Sequence, residues 1–137
     1  KSDKVNVYNL QVGEESKDIK ECGYENDIID ITDKLKSFND TANFIPQLDL
    51  IISSDTSLVH LAGALNVPTW VAIPKYCDWR WGLKGGTTYW YDSVKLYRQT
   101  THMNWTNVFK DIIKDLDRKF KLNINKNNSS KKKKKRK

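Results

Sequence analysis

Asp55-Thr56-Ser57 and, one helical turn further on, His60 are the residues whose types and spacing best suit chemistry. They stand where the apolar run Leu50-Ile51-Ile52 hands over to a helical pattern that begins at Thr56. At a helix start the first backbone N–H groups have no partner within the helix. Two hydroxyls beside them and the positive end of the helix dipole make a seat for a phosphate or diphosphate. The same residues also suit plain N-capping by Asp55 or Thr56, and the spacing alone does not separate the two readings. His60 falls off the apolar stripe of the helix. It reads either as a contact to a phosphate or a donor sugar, or as a packing histidine.

A second group follows in an aromatic loop: Trp79, Arg80 and Trp81, then Trp90 and Tyr91. Flat rings and a guanidinium can stack on a base or a sugar face. The same rings can instead fold a long loop onto the core as a lid. Asp78 is the one acid between Pro74 and Gly86, and a single acid does not make a general acid–base pair. No Gly-x-Gly-x-x-Gly or Walker-type loop is present, which argues against NAD binding and ATP hydrolysis. No Ser-His-Asp spacing stands out, and no catalytic residue is assigned. Cys22 and Cys77 lie far apart without Cys-x-x-Cys spacing. That pattern is neither a metal framework nor a disulfide scaffold, so no metal and no cofactor are expected, and reduced thiols suit a cytoplasmic location.

The elements that must position these residues alternate. Val5 to Leu10 reads as a strand running into a Gln11-Val-Gly13 turn, Glu14 to Glu21 as a short helix stopped near Gly23, and Ile28 to Ile31 as a strand. Ser37 to Leu48 reads as a helix with Phe38, Ala42, Ile45 and Leu48 on one face, kinked or shortened by Pro46. Leu50 to Ser54 is expected as a buried strand. Thr56 to Asn66 is a helix whose core stripe is Leu58, Leu61, Ala62 and Leu65. Thr69 to Ile73 and Val94 to Tyr97 are further strands, and Trp105 to Phe120 is a long amphipathic helix. Alternation at this spacing predicts an α/β fold, a Rossmann-like parallel sheet with helices on both faces. In such sheets ligands bind beyond the carboxyl ends of the strands, where the Gln11–Gly13 turn, the Asp55–Ser57 turn and the Pro74 loop all fall.

The chain has 137 residues and a formal net charge of +7. Seven of its 24 Lys and Arg lie in Lys131–Lys137, and the others equal the 17 Asp and Glu in number. The body is therefore formally neutral, and the charge does not announce a specific nucleic-acid partner. Residues 1–122 read as one domain, and 123–137 as a disordered basic tail able to bind polyanions weakly. No apolar run approaches the about 18 residues of a spanning helix.

The run Asp49-Leu-Ile-Ile-Ser-Ser-Asp-Thr-Ser-Leu-Val-His-Leu-Ala-Gly-Ala-Leu65, then Pro68-Thr-Trp-Val71, Asp78-Trp-Arg-Trp81, Trp90-Tyr91 and Leu96-Tyr-Arg-Gln99, resembles one group of proteins. It is similar to the C-terminal domain of heptosyltransferase-type glycosyltransferases (glycosyltransferase family 9). The variety resembled is that attached to tetratricopeptide repeats in bacterial proteins that are like O-linked N-acetylglucosamine transferases. The likeness runs from Val5 to Leu116. It implies the donor half of a GT-B enzyme, with a nucleotide-diphosphate sugar as substrate. The resemblance puts Asp55, Thr56, Ser57 and His60 around the donor diphosphate and sugar. It puts Gln11 and Gly13 near the nucleotide, and Asp78, Trp79, Arg80 and Trp81 as further nucleotide or lid contacts. It also implies that the chain opens at the second strand region of such a domain. The acceptor site and base would then come from an N-terminal GT-B domain or a tetratricopeptide-repeat region outside this sequence, so this chain alone would not complete transfer. Pro46 departs from the family pattern. The other reading is a non-catalytic, degenerate Rossmann module for interaction or scaffolding.

Overall fold

The computed structural model describes residues 5–124. The expected basic tail falls, from residue 125 onward, outside the described residues. Of its first two positions, Ile124 donates its backbone N–H to the Asp117 carboxylate at 3.1 Å.

The chain is α/β. Its elements are β1 (Tyr8–Asn9), α1 (Asp18–Glu21), β2 (Ile29–Asp30), α2 (Phe38–Phe44), β3 (Ile51–Ser54), α3 (Ser57–Ala64), β4 (Thr69–Ile73), β5 (Val94–Arg98) and α4 (Thr106–Phe120). Every strand pairing is parallel: β1 with β2, β3 with β4, and β4 with β5. The strands form a pair and a trio, the latter in the order β3-β4-β5. Parallel neighbours need crossovers. That from β3 to β4 is α3, and that from β4 to β5 is the long aromatic loop.

Strand alternation builds the two faces. In β4, Val71 and Ile73 point to one side and join Val59 of α3 with Val94 and Leu96 of β5. Ala72 points to the other and joins Tyr97 with Val108 and Ile112 of α4. Helices thus cover both faces of the trio, as expected for a Rossmann-like sheet. A third cluster of Ile45, Ile51, Ala62 and Val67 receives Leu10, which docks the end of β1 beside α3.

Several local expectations shift. Val59 and Ala62 are the fully buried residues of α3, while Leu65 is 42% exposed and Leu58 and Leu61 are half-buried. The segment is apolar almost all round, so periodicity does not select the face. Leu65 lies where the helix ends, before Asn66 turns left-handed with φ 55°. β3 is buried on one side only: Ile51 faces α3, whereas Ile52 is 44% exposed because α4 packs over β4 and β5. In α2 the Ser37 cap forms, its Oγ accepting from the Asp40 N–H at 3.2 Å. The helix stops at Phe44 and tightens into a 3-10 turn, Ile45–Gln47, that takes Pro46 in its first positions, where a missing N–H costs no bond. Ile45 is buried there, but Phe38 is exposed at the open end of the helix.

Candidate functional site

Beyond Ser54 the chain passes through Asp55 to Thr56, which is extended at φ −139° and ψ 169° and precedes α3. Thr56 occupies the N-cap position, yet its side chain makes no capping bond. Its Oγ1 lies instead 3.2 Å from Ser53 Oγ. The contrast with Ser37 is direct, and Asp78 likewise caps its own 3-10 turn by accepting from the Arg80 N–H at 2.9 Å. The Val59 N–H donates to the Thr56 carbonyl at 3.1 Å, and the Ser57 and Leu58 amides are left without a side-chain acceptor, with the hydroxyls of Ser53 and Thr56 close by. Asp55, Thr56 and Ser57 are all exposed. An anion placed here would meet free N–H groups, hydroxyls and the positive end of the helix dipole.

His60, one turn into α3, is half-buried beneath the aromatic loop. Its ring stacks on Trp81 with centroids 5.3 Å apart and planes 19° from parallel. Its Nδ1 is 3.1 Å from the Tyr91 hydroxyl. Tyr91 lies flat on Gly63, where an added Cβ would sit 2.4 Å from the ring. Trp81 is 1% exposed. His60 thus couples α3 to the loop, and its Nε2 makes no hydrogen bond among the described residues.

The rest of the Asp78–Trp81 stretch divides. Asp78 pairs with Arg80 at 3.3 Å, and Arg80 also lies over the Trp79 ring at 6.0 Å. Trp79 is exposed and meets Trp90 edge to face, with centroids 6.1 Å apart. Gln11 and Gly13 lie at the carboxyl end of β1, both exposed. The Gln11 N–H is held by Asn9 Oδ1 at 2.9 Å, and Gly13 takes the left-handed φ of 108° that favours glycine. No hydrogen bond or ring contact joins them to Thr56, Ser57 or His60 among the described residues. The structure therefore brings together His60, Trp81 and Tyr91, and sets Thr56 and Ser57 at the start of the same helix.

Sequence reasoning gave no role to Arg98, at the carboxyl end of β5. Its Nε donates to the Gly85 carbonyl at 2.7 Å, and one terminal nitrogen donates to the Gly82 carbonyl at 3.2 Å and to Cys77 Sγ at 3.4 Å. The other donates to the Trp81 carbonyl. One guanidinium thereby fixes the aromatic loop through charge-assisted bonds. Gln99, buried beside it, accepts from the Lys75 N–H at 3.2 Å. Backbone carbonyls carry no residue signature, so only the position of a charge at the end of a buried strand hinted at this clamp.

Two shifted carboxyls lie away from the α3 turn. Asp30, at the end of β2, is held below the usual carboxylate range, chiefly by the Thr32 N–H and hydroxyl. Asp115 of α4 is held low by its bond to Lys95, whose ammonium is correspondingly raised. Burial pushes the Tyr97 hydroxyl, which donates to Asp115 at 2.9 Å, up to about 12. This trio ties β5 to α4 on the face opposite α3.

Two depressions mark the surface. One, of about 360 Å³, lies in the aromatic loop beside Trp81; the other, of about 460 Å³, lies between Tyr8, Ile31 and Phe44. Neither is lined by Asp55, Thr56 or Ser57. No group of three His, Cys, Asp or Glu side chains fit to hold a metal ion gathers among the described residues. Comparison with protein-family models, with curated proteins and with solved structures finds no match.

Proposed function

We propose that the chain is the donor-binding half of a glycosyltransferase, holding a nucleotide-diphosphate sugar at the start of α3. The observation that carries this reading is the uncapped helix N-terminus at the carboxyl edge of β3. There Thr56 makes no capping bond, so the Ser57 and Leu58 amides have no side-chain acceptor, and its hydroxyl lies beside that of Ser53. Departure of a diphosphate needs its growing charge stabilised, and preorganised N–H and hydroxyl donors supply that without reorganisation. His60 would border the donor sugar, braced by Trp81 and Tyr91. Gln11 and Gly13 would approach the nucleotide, and Asp78 to Trp81 would close over it. An N-terminal GT-B domain or a tetratricopeptide-repeat region would bring the acceptor and its base. A cytoplasmic site of action accords with the free thiols of Cys22 and Cys77. Among the described residues no helix is long and apolar enough to cross a membrane. The experiment is calorimetric titration with a panel of nucleotide-diphosphate sugars, and a folded sample that binds none of them at millimolar concentration rejects the reading.

A second reading, a non-catalytic module for interaction with a polyanion-binding tail, is favoured by one set of contacts. His60 and Asp78 are already engaged by Tyr91 and Arg80, and neither of the two depressions described above is lined by the Asp55–Ser57 turn. Under this reading polyanion binding is salt-sensitive and disappears when Lys131–Lys137 are deleted.

A further inference from the structure

The aromatic loop holds a second feature, beside the donor seat and sharing Trp81 with it. Its depression of about 360 Å³ is bordered by Trp81, Leu83, Lys84, Thr87, Thr88 and Tyr89. That volume lies within the range of small-ligand sites, which combine aromatic walls with a few polar groups. Its rim is unusually bare. Tyr89 is fully exposed, and Trp79 and Trp90, the edge-to-face pair, are both exposed. Of these rings Tyr89 lines the depression, and Trp79 and Trp90 belong to the same loop; large rings are normally buried or engaged, so several bare ones in one loop mark a place of contact. The platform beneath is held firmly: Arg98 clamps the carbonyls of Trp81, Gly82 and Gly85, and the Leu96 N–H donates to the Gly86 carbonyl at 2.8 Å. Ordering the loop therefore adds little cost to binding.

We propose that this cleft binds a saccharide, separate from the donor diphosphate seat. The C–H bonds on one face of a pyranose carry a slight positive charge and suit the negative face of an exposed ring. The hydroxyls of Thr87 and Thr88 both donate and accept, as a sugar's own hydroxyls require. A nucleobase fits less well. The Trp79 and Trp90 planes are 73° apart and form no parallel slot, and Lys84 is the cation on the wall. Trp81 lines the cleft and also stacks on His60, so a saccharide held here lies on the flank of the residue that would border the donor sugar. The saccharide site stands on its own observations, whereas its place beside a donor sugar rests on the donor reading.

The test is a titration of the full chain with a panel of α- and β-linked hexose and N-acetylhexosamine oligosaccharides, followed by tryptophan fluorescence. Uridine monophosphate serves as the base-bearing control. Saturable binding of at least one oligosaccharide is expected, weakened roughly tenfold (1.4 kcal/mol) in Tyr89→Ala and in Trp90→Ala at unchanged melting temperature. In the fully folded wild-type chain, the amide resonances of residues 87 and 88 should move with the same titration. Binding of no oligosaccharide overturns the proposal. So does binding unaffected by both substitutions, or displacement of the oligosaccharide by uridine monophosphate. Nucleotide-diphosphate binding, read on the same samples with Thr56→Val and Ser57→Ala, reports on the donor seat independently, so the two readings fail separately.

Discussion

After β3 the chain turns through exposed residues, and Thr56 leaves the helix it introduces uncapped. After β4 the chain enters a loop in which Asp78 caps its own turn, Trp81 is buried, and Arg98 clamps several carbonyls. Both connections leave the same edge of one parallel sheet, yet one keeps its polar groups open and the other consumes them. Open amides at a helix start are useful to an anion and cost little while water solvates them. A long loop must bury something to hold a shape, and this one buries a tryptophan against His60 and the core. The first region thus leaves donors free for the anion that the proposed function requires, and the second presents a rigid surface.

The largest effect should come from breaking the clamped region. Trp81→Ala removes a fully buried ring and the stack on His60, and should cost about 3–5 kcal/mol by denaturant unfolding. A loss within surface range would mean that the loop is draped rather than packed. Arg98→Met should come next, at about 1.5–3 kcal/mol, because charge-assisted bonds to the loop carbonyls disappear. Hydrogen exchange should rise in residues 77–86 and stay unchanged in α3. Gly63→Ala forces a Cβ into the Tyr91 ring and should cost about 1–3 kcal/mol. Loss of the His60–Tyr91 contact, seen as a shifted His60 imidazole resonance, would check the cause.

A pH series gives a smaller effect and isolates a contact outside both regions. Asp115 is held below the usual carboxylate range, first by Lys95. Its contribution is present above the unfolded value of about 3.9 and is lost as pH falls through the lower folded value. Lys95 is raised, so its contribution is full below about 10.4 and is lost as pH rises through the folded value. Tyr97 acts in the same direction at high pH, because the unfolded phenol ionises near 10 while the folded one waits until about 12. Asp115→Asn should flatten the acid side of the stability profile attributable to this contact.

How much of this was legible in the sequence depends on what kind of atom carries each feature. Strand and helix order followed from apolar runs, Ser37 and Pro46 marked the ends of α2, and Gly23 closed α1 with a φ of 73°. The inward face of α3 was read in part: Ala62 is buried and Leu58 and Leu61 pack beside it, but Leu65 is exposed and Val59, equally apolar, is buried instead. Phe38 and Ile52 read as core but stay exposed, because hydrophobicity does not reveal where the covering element ends. Within the site, the Asp55–Ser57 turn was placed correctly at the strand-to-helix handover. The absence of a cap at Thr56 was not legible, since a threonine there normally forms one. The Arg98 clamp left only the position of its charge as a hint, because its partners are backbone carbonyls and a cysteine sulfur.

The open turn is tested most directly by Thr56→Val combined with Ser57→Ala, titrated calorimetrically with nucleotide-diphosphate sugars beside wild type. Because Thr56 does no capping, stability should change by less than about 0.5 kcal/mol. Donor affinity should fall by about 1–3 kcal/mol, as expected for two lost hydroxyl bonds. Equal affinity in the double variant and wild type, or no binding by a folded wild-type chain, would contradict a donor seat at the start of α3.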